Sequence, residues 1–248
     1  MTTIISARGS VKGRGQRGRN LTYGMLESLG VAIVTGYYAT RPFPTEADLT
    51  KDYGVSRSVT REAVKMLTAK GLLSARPRQG TIVQPSSSWN LFDADVLRWM
   101  LERTFSIELL RDFNQLRIAI EPEAAAFAAR LGDADDLRRI SAGLERMEAA
   151  ERGEDEPLEA DIAFHVAILR ASKNPFYWQL RDVVDTALRT SIRVTNRIKG
   201  RTASVRDHGA VRDAIAAGNP DKAREAMRAL IDDVIDLIEH SETIEPVR

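Results

Sequence analysis

Residues 44–64 constrain the fold of this chain more than any other stretch. Pro44-Thr45-Glu46-Ala47-Asp48-Leu49 opens a short helix, Tyr53-Gly54-Val55-Ser56 supplies a tight turn, and a second helix starts at Arg57. Ser56 is suited to cap that helix, because a serine hydroxyl accepts from the free amides of a first turn. Its opening turns carry Arg57, Ser58, Thr60 and Arg61, all donors, while Ala63, Val64 and Leu67 line the opposite side. Donors at an exposed N-terminal end and an apolar back suit a helix that enters a DNA major groove. Gly71-Leu72-Leu73 ends the helix, and Arg76-Pro77-Arg78-Gln79-Gly80 reads as a hairpin tip between strands at 72–75 and 81–84. The expected unit is a winged helix-turn-helix. Its DNA-facing set is Ser56, Arg57, Ser58, Thr60 and Arg61 from the helix, with Arg76, Arg78, Gln79 and Gly80 from the wing.

The charge is distributed to match. The 248 residues carry a net +1, yet residues 1–88 hold 13 Lys and Arg against 5 Asp and Glu, and the remainder holds 23 against 30. A basic third at net +8 joined to an acidic remainder at net −7 fits a nucleic-acid reader fused to a part that need not touch DNA. Arg8, Lys12, Arg14, Arg17 and Arg19 lie among glycines with no acid before Glu27, so residues 1–20 read as a basic flexible arm. There is no cysteine, which excludes disulfides and thiolate zinc sites. No apolar run approaches the ~18 residues of a membrane span, and the N-terminus lacks the apolar core of a signal peptide. A cytoplasmic location is expected.

Beyond a winged unit at 21–84 and a short polar linker at 85–92, the pattern turns helical. Gly132-Asp133, Gly153, Asn174-Pro175 and Gly218-Asn219-Pro220 act as stops, caps and starts. They set helices near 93–103, 106–131, 134–152, 157–172, 175–199, 202–217 and 220–242. Leu109, Phe113, Leu116, Ile120, Ala124 and Phe127 form one apolar stripe; Ala223, Met227, Leu230, Val234 and Leu237 form another. The fold class expected is mainly α: a winged helix-turn-helix followed, over 93–243, by an antiparallel bundle of about seven helices.

Two stripes contain histidine. Leu158, Ile162, His165 and Leu169 turn His165 inward, with Asp161 one turn before it; Val205, His208, Val211 and Ile215 do the same for His208. A single inward histidine is ordinarily a satisfied core residue. A carboxylate and two imidazoles facing one interior are costly unless paired or coordinated. Asp161, His165 and His208 are therefore candidate ligands of a divalent metal ion. His240 reads as a surface residue.

Pro44, Glu46, Leu49, Gly54, Val55, Ser56, Arg57, Arg61, Glu62, Ala63, Leu67, Gly71, Leu72 and Gly80 fall in the order of the GntR family of bacterial transcription regulators, which this region resembles. Many relatives carry Arg or Lys where Ala47 stands, which implies one phosphate contact fewer here. Residues 89–243 resemble the all-helical ligand-binding (FCD) domain of the FadR-type branch. The carriers are Trp89-Asn90-Leu91-Phe92-Asp93, Arg117 with Glu121-Pro122-Glu123, Asp161-Ile162-Ala163-Phe164-His165, and His208 with Gly218-Asn219. That resemblance implies a metal held by one Asp and three His, here zinc, manganese or nickel. Asp161, His165 and His208 match three positions, and Leu230 stands at the fourth. The segment from Trp89 to Trp99 is similar to members that govern sugar-acid breakdown, which implies a small hydroxy-carboxylate effector.

Arg117 is the candidate carboxylate clamp, with an interhelical salt bridge as the alternative. Ser191 and Arg193 are further effector-pocket candidates. These readings combine into a homodimeric regulator, most simply a repressor, that reads a dyad operator in double-stranded DNA. Two alternatives stand beside it: a fatty-acyl or acyl-CoA sensor, which would need an apolar tunnel, and a metal-dependent enzyme, for which no acid–base partner has a legible spacing.

Overall fold

A computed structural model of the chain describes residues 14–76, 80–103, 106–199 and 204–240. It divides into two compact units, Met1–Leu91 and Phe92–Arg248.

The first unit is built on three helices and a hairpin. Helix α1 spans Arg14–Val34, α2 Glu46–Tyr53 and α3 Arg57–Ala69. The expected arm at 1–20 is thus shortened: residues 14–20 are helical, and 1–13 lie outside the described residues. Helix α2 starts at a capping box in which the Asp48 amide donates to Thr45 Oγ1 and the Thr45 amide to Asp48 Oδ2, both at 3.2 Å. It ends at Gly54, whose φ of 61° is the left-handed turn that glycine adopts without penalty. Ser56 then caps α3 as expected, accepting from the Val59 amide at 3.4 Å. Met25, Leu26, Leu29, Leu49, Ala63 and Leu67 are buried between the three helices.

Strands β1 (Leu73–Arg76) and β2 (Gly80–Val83) pair antiparallel, with Leu73 opposite Val83 and Arg76 opposite Gly80. Both lie one residue nearer the tip than the sequence places them. Leu72 is retained by the helix terminus, where its amide donates to Leu67 O. The segment at 85–92 is a second departure, because most of it is folded onto the first unit instead of linking freely. Residues Ser86–Ser88 form a 3-10 turn, the Trp89 indole donates to Gln84 O, and the Asn90 amide donates to Lys70 O. A β-carbon at Gly71 would meet Ser88 O at 2.3 Å, so only glycine admits this approach.

The second unit contains helices α4 (Ala94–Arg103), α5 (Ile107–Leu131), α6 (Ala134–Glu151), α7 (Pro157–Ala171), α8 (Pro175–Gln179), α9 (Arg181–Lys199), α10 (Val205–Ala216) and α11 (Pro220–His240). The helix expected at 175–199 is two helices. The Leu180 amide donates to Tyr177 O, three residues back instead of four, which ends α8, and Arg181 Nη1 also donates to Trp178 O at 3.0 Å. The core runs through Ile140, Leu144, Phe164, Ile168, Leu188, Val211, Met227 and Ile231. Helix α5 packs along α11, and α6 along α7. Pro122 lies inside α5, where it can offer no amide to Ile118 O; Arg228 of α11 approaches that carbonyl at 3.5 Å.

Candidate functional site

The bundle interior holds the polar cluster that the stripes imply. Asp161 and His165 lie one turn apart on α7, and His208 comes from α10; all three are at most 4 % exposed. Their donor atoms lie within 4.8 Å of one another. Asp161 Oδ1 is 3.1 Å from His165 Nε2 and 3.3 Å from His208 Nε2.

The outer nitrogen of each ring fixes what the inner one can do. His208 Nδ1 donates to the carbonyl of Ser204, the N-cap of α10, at 2.7 Å. His165 Nδ1 donates to Glu121 Oε2 at 2.6 Å. With both Nδ1 protons so used, a neutral imidazole presents a bare Nε2 lone pair to the same carboxylate oxygen. Asp161 Oδ1 and His208 Nε2 are accordingly buried without a hydrogen-bond partner. Lone pairs converging from three sides repel unless positive charge lies among them, so the donor set fits a divalent cation. The ring of Phe164 stands edge-on to both imidazoles, at 5.9 and 5.1 Å between centroids, as an apolar wall.

Without a cation, protons take its place. Burial pushes the His165 pKa down, but the charge of Glu121 and the contacts with Asp161 and Glu121 outweigh it and raise it to about 9. Burial pushes the Asp161 carboxyl up, and the two imidazoles more than reverse this, holding it below the usual carboxylate range. Glu121 is likewise pushed up by burial and pulled down further, to about 2, by Arg117 and His165.

Glu121 is the member that the sequence reading passes over. It is 1 % exposed and grips Arg117 one turn earlier on α5, with Nε to Oε1 at 2.6 Å and Nη2 to Oε2 at 3.3 Å. The i, i+4 spacing of Arg117 and Glu121 is the signal that would have found it. Arg117 does face the interior. Its ion pair is within α5, which corrects the interhelical alternative, and Nη1 donates to Asn114 Oδ1 at 3.2 Å. Nη2 lies 3.4–3.5 Å from both ring nitrogens of His165, a contact with the ring as a whole. Ser191, on α9, is 1 % exposed, while the side chain of Arg193 lies outside the described residues. Leu230 is buried in the main apolar cluster.

In the first unit Arg57, Ser58 and Arg61 are exposed along one side of α3. Arg61 Nε lies 3.6 Å from Glu46 Oε2. Thr60 corrects the sequence reading: it is fully buried, and its hydroxyl bonds that of Thr50 on α2 at 2.9 Å. It staples the two helices and is not free to meet DNA. The Ser56 hydroxyl is spent on the cap and on the Ser58 hydroxyl at 2.9 Å. Arg76 and Gly80 are exposed at the wing; Arg78 and Gln79 lie outside the described residues.

A winged helix with an exposed basic face, joined in one chain to a bundle with a buried ligating cluster, defines a DNA-binding transcription regulator with a ligand-binding module. The chain belongs to the GntR family: residues 27–83 match the model of the bacterial regulatory proteins of that family, and residues 112–233 match the FCD domain. It is 33 % identical to the uncharacterized HTH-type transcriptional regulator YieP of Escherichia coli K12, over 86 % of this chain and 93 % of that one. It is 32 % identical to the galactonate operon transcriptional repressor of the same organism, over 86 % and 94 %. The solved structure of E. coli McbR/YncC shares the fold, with a TM-score of 0.51 and 18 % identity over 90 % of this chain and 99 % of that one. The family and these relatives are regulators of transcription, which removes the metal-dependent enzyme from consideration. Among the described residues no helix is long and apolar enough to cross a membrane.

Proposed function

We propose that the protein is a cytoplasmic, homodimeric repressor whose grip on a dyad operator is controlled by a small hydroxy-carboxylate bound at a divalent metal. The observation that carries the metal half is the pair of partnerless buried atoms, Asp161 Oδ1 and His208 Nε2, facing one another beside His165 Nε2. Asp161, His165 and His208 would hold the ion, which supplies a Lewis-acidic centre for oxygen donors. Three protein ligands leave coordination positions for a carboxylate and its neighbouring hydroxyl.

Charge supports an anionic effector. Asp161 and Glu121 bring two negative charges and Arg117 one positive, so a divalent cation leaves the buried site at net +1. A buried excess of positive charge favours an anion. The similarity to a galactonate operon repressor points the same way, toward a sugar acid. Ser191, buried on the α9 helix that packs on α7, is retained as a pocket residue, together with Arg193. The buried carboxylates disfavour an acyl-chain sensor, which needs an apolar tunnel.

On DNA, Arg57, Ser58 and Arg61 approach the major groove while Arg76 and Arg78 of the wing reach phosphates or the minor groove. Two copies are needed because one head spans only a few base pairs. The test is operator binding with and without galactonate, in metal-loaded and chelator-stripped protein. Release by the sugar acid only when metal is present is the expected result. Equal release from stripped protein would remove the metal from the mechanism.

A further inference from the structure

We infer that Glu121 is the positioning carboxylate of the buried cluster: by holding Nδ1 of His165 it presents Nε2 to Asp161 and His208, and so sets how tightly the three-donor site takes up a divalent cation. This rests on the metal reading above and adds a residue that the ligand set does not include.

The side chains on α5 form an unbroken relay toward α7. Asn114 Nδ2 donates to Leu110 O at 2.8 Å, and Arg117 Nη1 donates to Asn114 Oδ1 at 3.2 Å. Arg117 Nε donates to Glu121 Oε1 at 2.6 Å, and Glu121 Oε2 accepts from His165 Nδ1 at 2.6 Å. Every side chain from Asn114 to His165 in this relay is at most 2 % exposed. Both carboxylate oxygens face the arginine, but Oε2 is shared: Arg117 Nη2 donates to it at 3.3 Å and His165 Nδ1, from another helix, at the shorter 2.6 Å. The ion pair within α5 therefore holds the carboxylate in place while its closest contact on Oε2 is the ring on α7.

The two imidazoles are also oriented differently. His208 rests on a neutral backbone carbonyl, Ser204 O, whereas His165 rests on an anion. An anionic acceptor at Nδ1 fixes the tautomer and makes Nε2 the stronger donor to a cation.

The test uses the full chain and Zn²⁺. Glu121→Gln keeps an amide carbonyl within reach of Nδ1 but removes the charge. Zinc affinity should fall 10–100-fold, with operator binding unchanged and, by ¹⁵N NMR of the imidazoles, a shifted or weakened Nδ1–H signal for His165. Wild-type zinc affinity in Glu121→Gln overturns the inference. If the wild-type protein takes up no zinc, the metal reading fails on its own. The positioning role is then decided in the metal-free protein, where an Nδ1–H signal of His165 unchanged by Glu121→Gln would overturn it. Should Glu121→Gln fail to fold, Arg117→Met with Glu121→Gln removes both members of the buried ion pair and carries the same two measurements.

Discussion

At the residue scale, the cluster makes cations and protons rivals for the same lone pairs. His165 faces Glu121, Asp161, Arg117 and His208, and without metal it holds a proton up to a pKa of about 9. A divalent ion must displace that proton. Uptake at pH 7 should therefore release acid, and affinity should rise with pH until the ring is deprotonated near 9. The stability of the metal-free protein runs in the opposite direction. A folded pKa above the ordinary value near 6.5 contributes stability that is complete below that value and lost as pH rises through about 9. Calorimetric titration in two buffers of different ionisation enthalpy, and thermal melts across pH 6–10, measure both effects. Metal affinity independent of pH would sink the ligand assignment of His165. The reading helix offers a cleaner residue contrast. Arg57→Ala should cost about 1–3 kcal/mol of operator affinity if it reads a base, and relax preference at one position per half-site. Thr60→Val, buried and bonded to Thr50, should instead lower thermal stability and leave base preference unchanged. Undiminished operator binding by the Arg57→Ala, Arg61→Ala double variant would remove α3 as the reader.

At the scale of elements, period and punctuation account for the features that are legible in the sequence. The caps at Ser56, Asp133 and Asn174 and the stop at Gly54 have local causes and appear where expected. The inward turn of Asp161, His165 and His208 is set by helical spacing alone. Features fixed by contacts distant in sequence are not legible in this way. The burial of Thr60 depends on Thr50, the folding back of 85–91 depends on Gly71, and the role of Glu121 depends on a ring 44 residues away. The break between α8 and α9 hides because the helical pattern runs on through it, and only a backbone turn bond, from the Leu180 amide to Tyr177 O, marks it.

Gly143 is another such contact. On α6 it lies against the backbone of Phe164, where an added β-carbon would meet the α-carbon at 2.9 Å and the amide nitrogen at 3.0 Å. Backbone cannot rotate aside, so Gly143→Ala must push α6 from α7 at the residue preceding His165. A loss of about 1–3 kcal/mol is expected, with weaker metal uptake beside it. Gly153→Ala, at a positive φ but with open space around it, supplies the comparison: strain without displacement of the cluster. If Gly143→Ala melts and binds metal as the wild type does, α6 and α7 are not held at this crossing.

At the scale of the whole molecule, a basic unit that meets DNA and an acidic unit that meets an effector share one chain, and thermodynamics ties their ligands together. If the effector lowers operator affinity by some factor, the operator must lower effector affinity by the same factor, because both paths around the cycle end in the same ternary state. Couplings of this kind are about 1–3 kcal/mol, or 5–150-fold. The proposed control of DNA binding can therefore be measured from the bundle side alone. Galactonate titrated into metal-loaded protein, free and saturated with operator duplex, should give two affinities whose ratio equals the ratio of operator affinities with and without galactonate. Scrambled duplex at matched salt serves as reference, since contacts with phosphates alone vary with ionic strength and carry no sequence. His165→Ala and His208→Ala should bind operator normally and show a ratio of one in both directions. If effector affinity is identical with and without operator in the wild-type protein, the bundle binds its ligand without governing the reader, and the proposed control is wrong even if metal, effector and DNA all bind.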